Sequence, residues 1–456
     1  MKKIVVQLVQ DTPMWHFQGA FDDCCLRATE VKPKLDRFLL AKLDNGELSV
    51  DDCALTSRDD APSTWWANED KTALNYKMRI SAESRRIIES QVPDLDRRTR
   101  RQKTDRNGMP VFKNLYPIYF ARVGANETGD MELVMMRGIK VELMVSDDKL
   151  AECIGPIIPA FFASHSFGAR QDKGFGCFRV SGAGATGQLS GASYSFIVPA
   201  CNRPEDKYPN LFQHINYFHK VIRSGVNERG CYVKSMMYHY AKSKEDVWDK
   251  PVIRTTFNFR NTLYRFICGD VDIDELNDME RRKVTNRDGS NRPVRGSLSE
   301  EYELHRELMG KTNLFRDALG LSTSQDWISY GNKVKTSLHG NESEEVRFKS
   351  PVDYRPVPTT DGGFIVYIII HELPNELRQA SFDISCDKSR ERLEGMKISD
   401  AISISDYFEF IYDNTWRVYL DEVEETDCLD IQPGRERSEP YTFITQVFDT
   451  LNIVAR

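Results

Sequence analysis

The sequence predicts an α+β protein built on two ferredoxin-like (RRM-like, βαββαβ) units with long insertions and additional helices. Three observations lead there. The N-terminal part reads strand–helix–strand–strand–helix–strand, which is the ferredoxin-like order and also the skeleton of RNA-recognition domains. The chain has 456 residues, more than one ordinary core accommodates, so two or three domains are expected. Near the C-terminus, two apolar β-type segments flank an Asp361–Gly362–Gly363 turn and precede a helical stretch, enough for a second, degenerate unit.

Taken in order, residues 4–10 alternate and are β-branched, which predicts the first strand. The opening MKKIVVQLVQDTP begins like a signal peptide, but Gln7 and Gln10 break its apolar run and no small-residue cleavage site follows. PKLDRFLLAKL (33–43) reads as an amphipathic helix with Pro33 in its first turn. Residues 44–75 read as an irregular insertion. NLYPIYFARV (114–123) and LVMMRGIKVELMV (133–145) are the next strands. Residues 147–166 read as a helix that Pro156 and Pro159 kink or divide, and CFRV then closes the unit as a strand. Beyond residue 200, helices are expected at 211–225, 231–243 and 400–420. Strands are expected at 346–357 and 363–373. The resulting division is a first domain over 1–200, a helical and basic-loop region over 201–345, and the second unit over 346–456.

Composition narrows the function. Net charge is −7, which argues against a protein that coats nucleic acid over its whole surface, although local basic patches survive such a sum. Ten cysteines contain no C-x-x-C pair, so a zinc ribbon or thioredoxin-like site has no support, and reduced thiols in a cytoplasm are the simplest reading. FIVYIII (364–370) is too short to cross a membrane, so no membrane partner is expected.

Several familiar motifs fail on inspection. Gly182, Gly184 and Gly187 spell G-x-G-x-x-G, but the following GASYSFIVP reads as a strand, and a dinucleotide site needs a helix there. No Walker-type loop, H-E-x-x-H or G-x-S-x-G is present, and His214 and His219 are spaced for different sides of a helix. No metal or cofactor is therefore expected.

Charge is concentrated in two places. Residues 85–106 hold eight Arg or Lys against four acidic residues, and residues 281–296 hold six against one. Either run is a solvated loop or a phosphate-contacting flap. The most unusual stretch is FGARQDKGFGCF (167–178). Its three glycines, Arg170, Lys173, Phe175 and Phe178 fit either a tight structural turn or a grip on a phosphate-bearing partner. Just before it, His165 has the chemistry of a general base in RNA cleavage, as does His16, although such a histidine more often caps a helix or hydrogen-bonds a loop.

Three separated segments, QDTPMWHFQ, LRATEVKPKLDRFL and FGARQDKGFGCF, together resemble the RAMP superfamily of CRISPR proteins, and more narrowly the first subunit of the Cmr (type III-B) effector complex. VRFKSPVDYRPV resembles that family's C-terminal strand pair. The sequence departs from the family at Pro33 (usually glycine), at Asp36 (usually arginine), and at Gln171 and Asp172 (usually Ser/Arg types). The resemblance implies two ferredoxin-like units, no nuclease activity of the chain's own, and no cofactor. It implies binding near the 3′ part of a guide RNA, help in capturing target RNA, and other RAMP subunits as partners. The RNA-binding residues it implies are Arg27, Lys32, Lys34, Gly168, Arg170, Gln171, Lys173, Gly174, Phe175 and Gly176, with Phe175 either stacking on a base or anchoring the loop. The competing reading is a metal-independent RAMP endoribonuclease that processes guide RNA or cuts target RNA through His165 or His16. A third is a scaffold that binds protein alone.

Overall fold

In the computed structural model, the described residues are 1–16, 26–50, 53–96, 98–116, 132–182, 192–228, 231–246, 313–321, 324–327, 332–340, 347–386 and 392–413, with short stretches between 248 and 285. The chain forms two compact units. Among the described residues, the first comprises Met1–Phe218 and Val352–Ile370.

The first unit is organised by one four-stranded antiparallel sheet. Its strands are β1 (Lys2–Gln10), β2 (Tyr76–Ser81), β3 (Ile139–Val145) and β4 (Phe178–Val180), in the spatial order β4-β1-β3-β2. Two helices, α1 (Ala28–Asp44) and α2 (Asp148–Ser164), cover one face. Alternation sets the faces. Leu8, Val141, Leu143 and Val145 point inward against Val31, Leu35 and Leu39 of α1 and Ile154, Ile158 and Phe161 of α2. The opposite face is open, and there Lys3 and Lys140 both pair with Glu142, holding its carboxyl down at about 2.

Three expectations change here. α1 starts at Ala28, so Pro33 lies in its second turn, on the exposed side. The carbonyl that loses its donor there faces water. α2 is one helix through Pro156 and Pro159 and not two, with Pro156 exposed and Pro159 half-buried, and Asp147 caps its start by accepting from Leu150 N. Residues 44–75 contribute to the core: a short hairpin (Leu48–Val50 with Cys53–Leu55) and Trp65 pack into it, and Trp65 Nε1 donates to Asp147.

A second sheet of this unit joins β5 (Ala192–Val198), β6 (Val352–Pro358) and β7 (Phe364–Ile370), with β7 in the middle. The strand expected after the G-x-G-x-x-G triplet is β5, and the expected pair around Asp361–Gly363 is β6 with β7. That pair groups with the N-terminal unit, because β7 bonds along the length of β5. The expected boundary at 346 therefore does not coincide with the compact units. α3 (Lys207–Arg223) contributes Phe212, Ile215 and Phe218 to the first unit.

The second unit, among its described residues, holds a five-stranded sheet in the order Asn313–Leu314, Arg392–Ile398, Phe382–Cys386, Asn332–Leu338, Ser324–Trp327. Only the Asn313–Leu314 pairing with Arg392–Ile398 is parallel. Helices Met236–Ser243 and Ile404–Tyr412 begin at Ser235 and Ser403, each accepting from a backbone N–H three residues on, and meet through Tyr240, Tyr407 and Phe410. The described elements do not follow the βαββαβ order expected for a second ferredoxin-like unit, since the strand pair expected to supply it belongs to the first. Most of the expected loop at 281–296, residues 117–123 and 414–420, and Gly184 and Gly187 lie outside the described residues.

Candidate functional site

The three segments singled out in the sequence come together in the first unit. The chain leaves β1 at Gln10 and turns through Asp11, Thr12 and Pro13 into a short strand, Met14–His16. Thr12 is fully buried. Its hydroxyl donates to Gly174 O (2.8 Å) and accepts from Cys177 N (3.0 Å). Gly176 N donates to Pro13 O and Ala169 N to Trp15 O, both at 2.9 Å. From α1, Glu30 accepts from Gly168 N (2.7 Å), and Lys34 Nζ donates to Ser166 O (2.9 Å) and Gln171 Oε1 (2.6 Å). The loop is thus stitched to the strand end on one side and to the helix on the other.

The glycines serve this stitching. Gly176 has φ +65°, and a Cβ there would lie 1.8 Å from Phe167 O. Gly168 has φ +82°, and its Cβ would meet Trp15 O at 2.5 Å and Met14 Cγ at 2.6 Å. Gly174 lies against Pro356 of β6 and Ile215 of α3. At each of these positions the chain that comes close is the protein's own.

The remaining predicted residues divide by exposure. Lys173 is buried, pairs with Asp172 (3.0 Å) and lies over the Tyr354 ring. Phe175 is completely buried and stacked on Phe212, with ring centroids 3.6 Å apart and planes 3° from parallel, so it anchors the loop. Lys32 donates to Asp36 and Leu74 O and covers Tyr76. Asp36, where the resemblance leads one to expect arginine, is thus a buried partner of Lys32. Gln171 bridges Lys34 and Gly168 O. Arg27 and Arg170 are half-exposed, and Arg170 has φ +61° and ψ 34°, a left-handed conformation that costs a non-glycine residue about 1 kcal/mol. Trp15, whose carbonyl accepts from Ala169 N next to Arg170, is half-buried and packed on Phe175 and Tyr116. Trp15 is the aromatic that the sequence reading passed over; its place two residues after the Pro13 turn was the available signal.

Two further groups hold the site. Arg355 of β6, 2% exposed, donates through Nη1 to His165 O and Ser166 Oγ, and through Nη2 to Phe162 O and Phe178 O. It therefore fastens both ends of the loop and occupies carbonyls that the end of α2 leaves unpaired. It lies in the VRFKSPVDYRPV segment already read as a strand, where nothing local distinguishes it as a buried anchor. Asp11, 3% exposed, pairs with Arg179 at 2.8 Å; burial pushes its carboxyl up, with Arg179 opposing.

His165 ends α2 with its ring against Phe38 and Phe161 and its Nδ1 on Phe161 O (3.1 Å). Burial lowers its pKa from 6.5 to about 4; the bond to Phe161 O works against the shift, and the charges of Lys34 and Arg355 add to it. The unfolded chain therefore binds a proton between these values that the folded chain does not, so stability is full above about pH 6.5 and falls as pH drops toward about 4. Chemical unfolding of His165→Gln across that range is expected to show a shallower acid loss than the wild type. An identical pH profile would contradict the buried neutral imidazole. Of His16, the backbone is described, paired with Glu132. Among the described residues no group of three metal-ligating side chains occurs, and no helix is long and apolar enough to cross a membrane.

Comparison with known proteins divides the chain once, near residue 230, so the strand pair 352–370 that groups with the first unit falls within the second match. Residues 1–226 match the model of the Cmr1 N-terminal domain, and residues 232–426 match that of the Cmr1 C-terminal domain. No curated protein and no solved structure gives a match. Two adjacent domain matches, in order and spanning nearly the whole chain, establish that it belongs to the Cmr1 family of type III-B CRISPR proteins, components of the multi-subunit Cmr effector complex.

Proposed function

We propose that this chain is a non-catalytic RAMP subunit that binds RNA within the Cmr complex, near the 3′ part of the guide, and aids capture of target RNA. Its first unit is read as ferredoxin-like, supported by the antiparallel β4-β1-β3-β2 order under two helices. The observation that carries the RNA reading is Arg170. A buried seam of hydrogen bonds holds this residue in a backbone conformation that glycine would adopt more easily, and the residue is half-exposed. Strain of this kind is retained where a side chain has a task. Arg27 supplies a second cation and Trp15 an aromatic edge, the two kinds of contact that single-stranded RNA offers a protein.

The non-catalytic reading is supported by His165, whose ring is enclosed by Phe38 and Phe161 and is a poor base near neutrality at a pKa of about 4. The test is direct titration of labelled single-stranded RNA onto the full chain and onto an Arg27→Ala/Arg170→Gly variant. Affinity is expected to fall about tenfold or more, as for loss of charge-assisted phosphate contacts. The melting temperature of the variant is measured alongside, so that lost RNA contacts are separated from lost contacts within the protein. Shortened RNA on a denaturing gel would favour the endoribonuclease instead.

A further inference from the structure

Residues 91–114 build a projection outside the core of the first unit. Gln91–Pro93 pairs with Phe112–Asn114, and a third segment is laced in by Lys103 N to Asp94 O and Val111 N to Lys103 O, both at 2.8 Å. None of its apolar residues joins the core cluster. Instead Leu95, Met109 and Phe112 stand 44%, 63% and 52% exposed.

Its charges are unevenly used. The stretch holds seven Arg or Lys and three Asp, in a chain of net charge −7. All three carboxylates are consumed internally. Asp96 accepts from Arg98 N and Thr99 N, Asp105 accepts from Asn107 N and Met109 N, and Asp94 pairs with Lys103. Among the described residues, Arg98, Arg100, Arg101, Arg106 and Lys113 have no carboxylate partner. Lys103, Arg100 and Lys113 line a groove of about 600 Å³ with Val92, Pro93 and Leu95.

We infer that this projection is a second nucleic-acid contact, separate from the glycine-rich loop, that takes a single RNA strand with its phosphates on the unpartnered cations and its bases on Leu95 and Phe112. The pairing of cations lacking carboxylates with exposed apolar and aromatic side chains suits a single strand, which presents both charge and flat faces. A purely acidic peptide would satisfy the cations and leave Phe112 and Met109 in water. The inference goes beyond the loop reading and does not depend on Arg27 or Arg170.

The test replaces residues 94–111 of the full chain by Asn-Gly, a two-residue turn that suits the paired Pro93 and Phe112. The probe is a fluorescein-labelled oligouridylate of about 20 nucleotides, long enough to span several contacts. The expected result is an unchanged melting temperature, affinity at least about tenfold weaker, and a slope of log K against log salt shallower by about 2, the value for three single-strand phosphate contacts. A second variant, Phe112→Ala, is expected to lose affinity at an unchanged slope. Equal affinity and slope for the replacement would overturn the inference. So would binding of polyglutamate, but not of RNA, that requires the projection, since that result assigns it to an acidic protein. Because the loop variant leaves residues 91–114 intact, failure of either site is read separately.

Discussion

Gly176→Ala is expected to lower the stability of the first unit by about 3 kcal/mol, the largest effect of any single methyl addition in the loop. Three costs combine. The φ of +65° carries about 1 kcal/mol for any residue with a Cβ. The new methyl would sit 1.8 Å from Phe167 O, so the backbone has to move. That movement breaks the paired bonds Phe167 N to Gly176 O and Gly176 N to Pro13 O, each worth about 1 kcal/mol. Gly182→Ala is the control: its φ is +81°, but nothing lies within 4 Å of a Cβ, so only the backbone term of about 1 kcal/mol remains. Urea unfolding of the full chain, followed by tryptophan fluorescence, compares the two. Equal losses would mean that the loop yields to the added methyl and is not held by the seam described.

Arg355→Leu is expected to cost about 3 kcal/mol or more, since each buried acceptor left without a donor costs about 1–3 kcal/mol. The guanidinium serves the carbonyls of Phe162, His165 and Phe178 and the Ser166 hydroxyl, and leucine leaves these acceptors buried without a donor. Arg355→Lys is expected to recover only part of the loss, because one ammonium cannot span acceptors that a planar fork reaches from two nitrogens. A loss below about 1 kcal/mol for Arg355→Leu would show that water or neighbouring groups replace it and that the loop does not depend on β6.

Local signals made a good part of this fold legible. The β-branched start gave β1, and the apolar run with its turn gave β6 and β7. The lack of a helix after Gly187 identified β5 correctly as a strand. What escaped depended on tertiary partners. YKMRIS, the edge strand β2, alternates between the core and an open face, and its charges disguise it within a polar stretch. Trp65 and the 48–55 hairpin sit in polar sequence, and only their packing against the core reveals them as structural. The strand pair 352–370 read correctly as strands, but its allegiance to the first unit is set by pairing with a segment some 170 residues earlier, which no local pattern encodes.

The site was legible as a location and less so in its parts. The order of the three segments pointed to one place, and hydrogen bonds between them are what the structure contains. Which cations face outward was not readable. Lys32, Lys34 and Lys173 look like surface lysines in sequence, yet folding brings Leu74 O and Tyr76 onto Lys32, Ser166 O and Gln171 onto Lys34, and the Tyr354 ring onto Lys173. Arg27 and Arg170 are half-exposed, and Phe175 becomes an anchor because Phe212 arrives from α3.

The measurement that bears most directly on the RNA-binding account is the affinity of the full chain for single-stranded RNA at two salt concentrations, wild type against Arg27→Ala/Arg170→Gly. The account predicts affinity lowered about tenfold or more and a salt slope shallower by about 1.4 for two lost phosphate contacts. Unchanged affinity and slope, with both proteins folded, would contradict it and leave the loop as a structural turn.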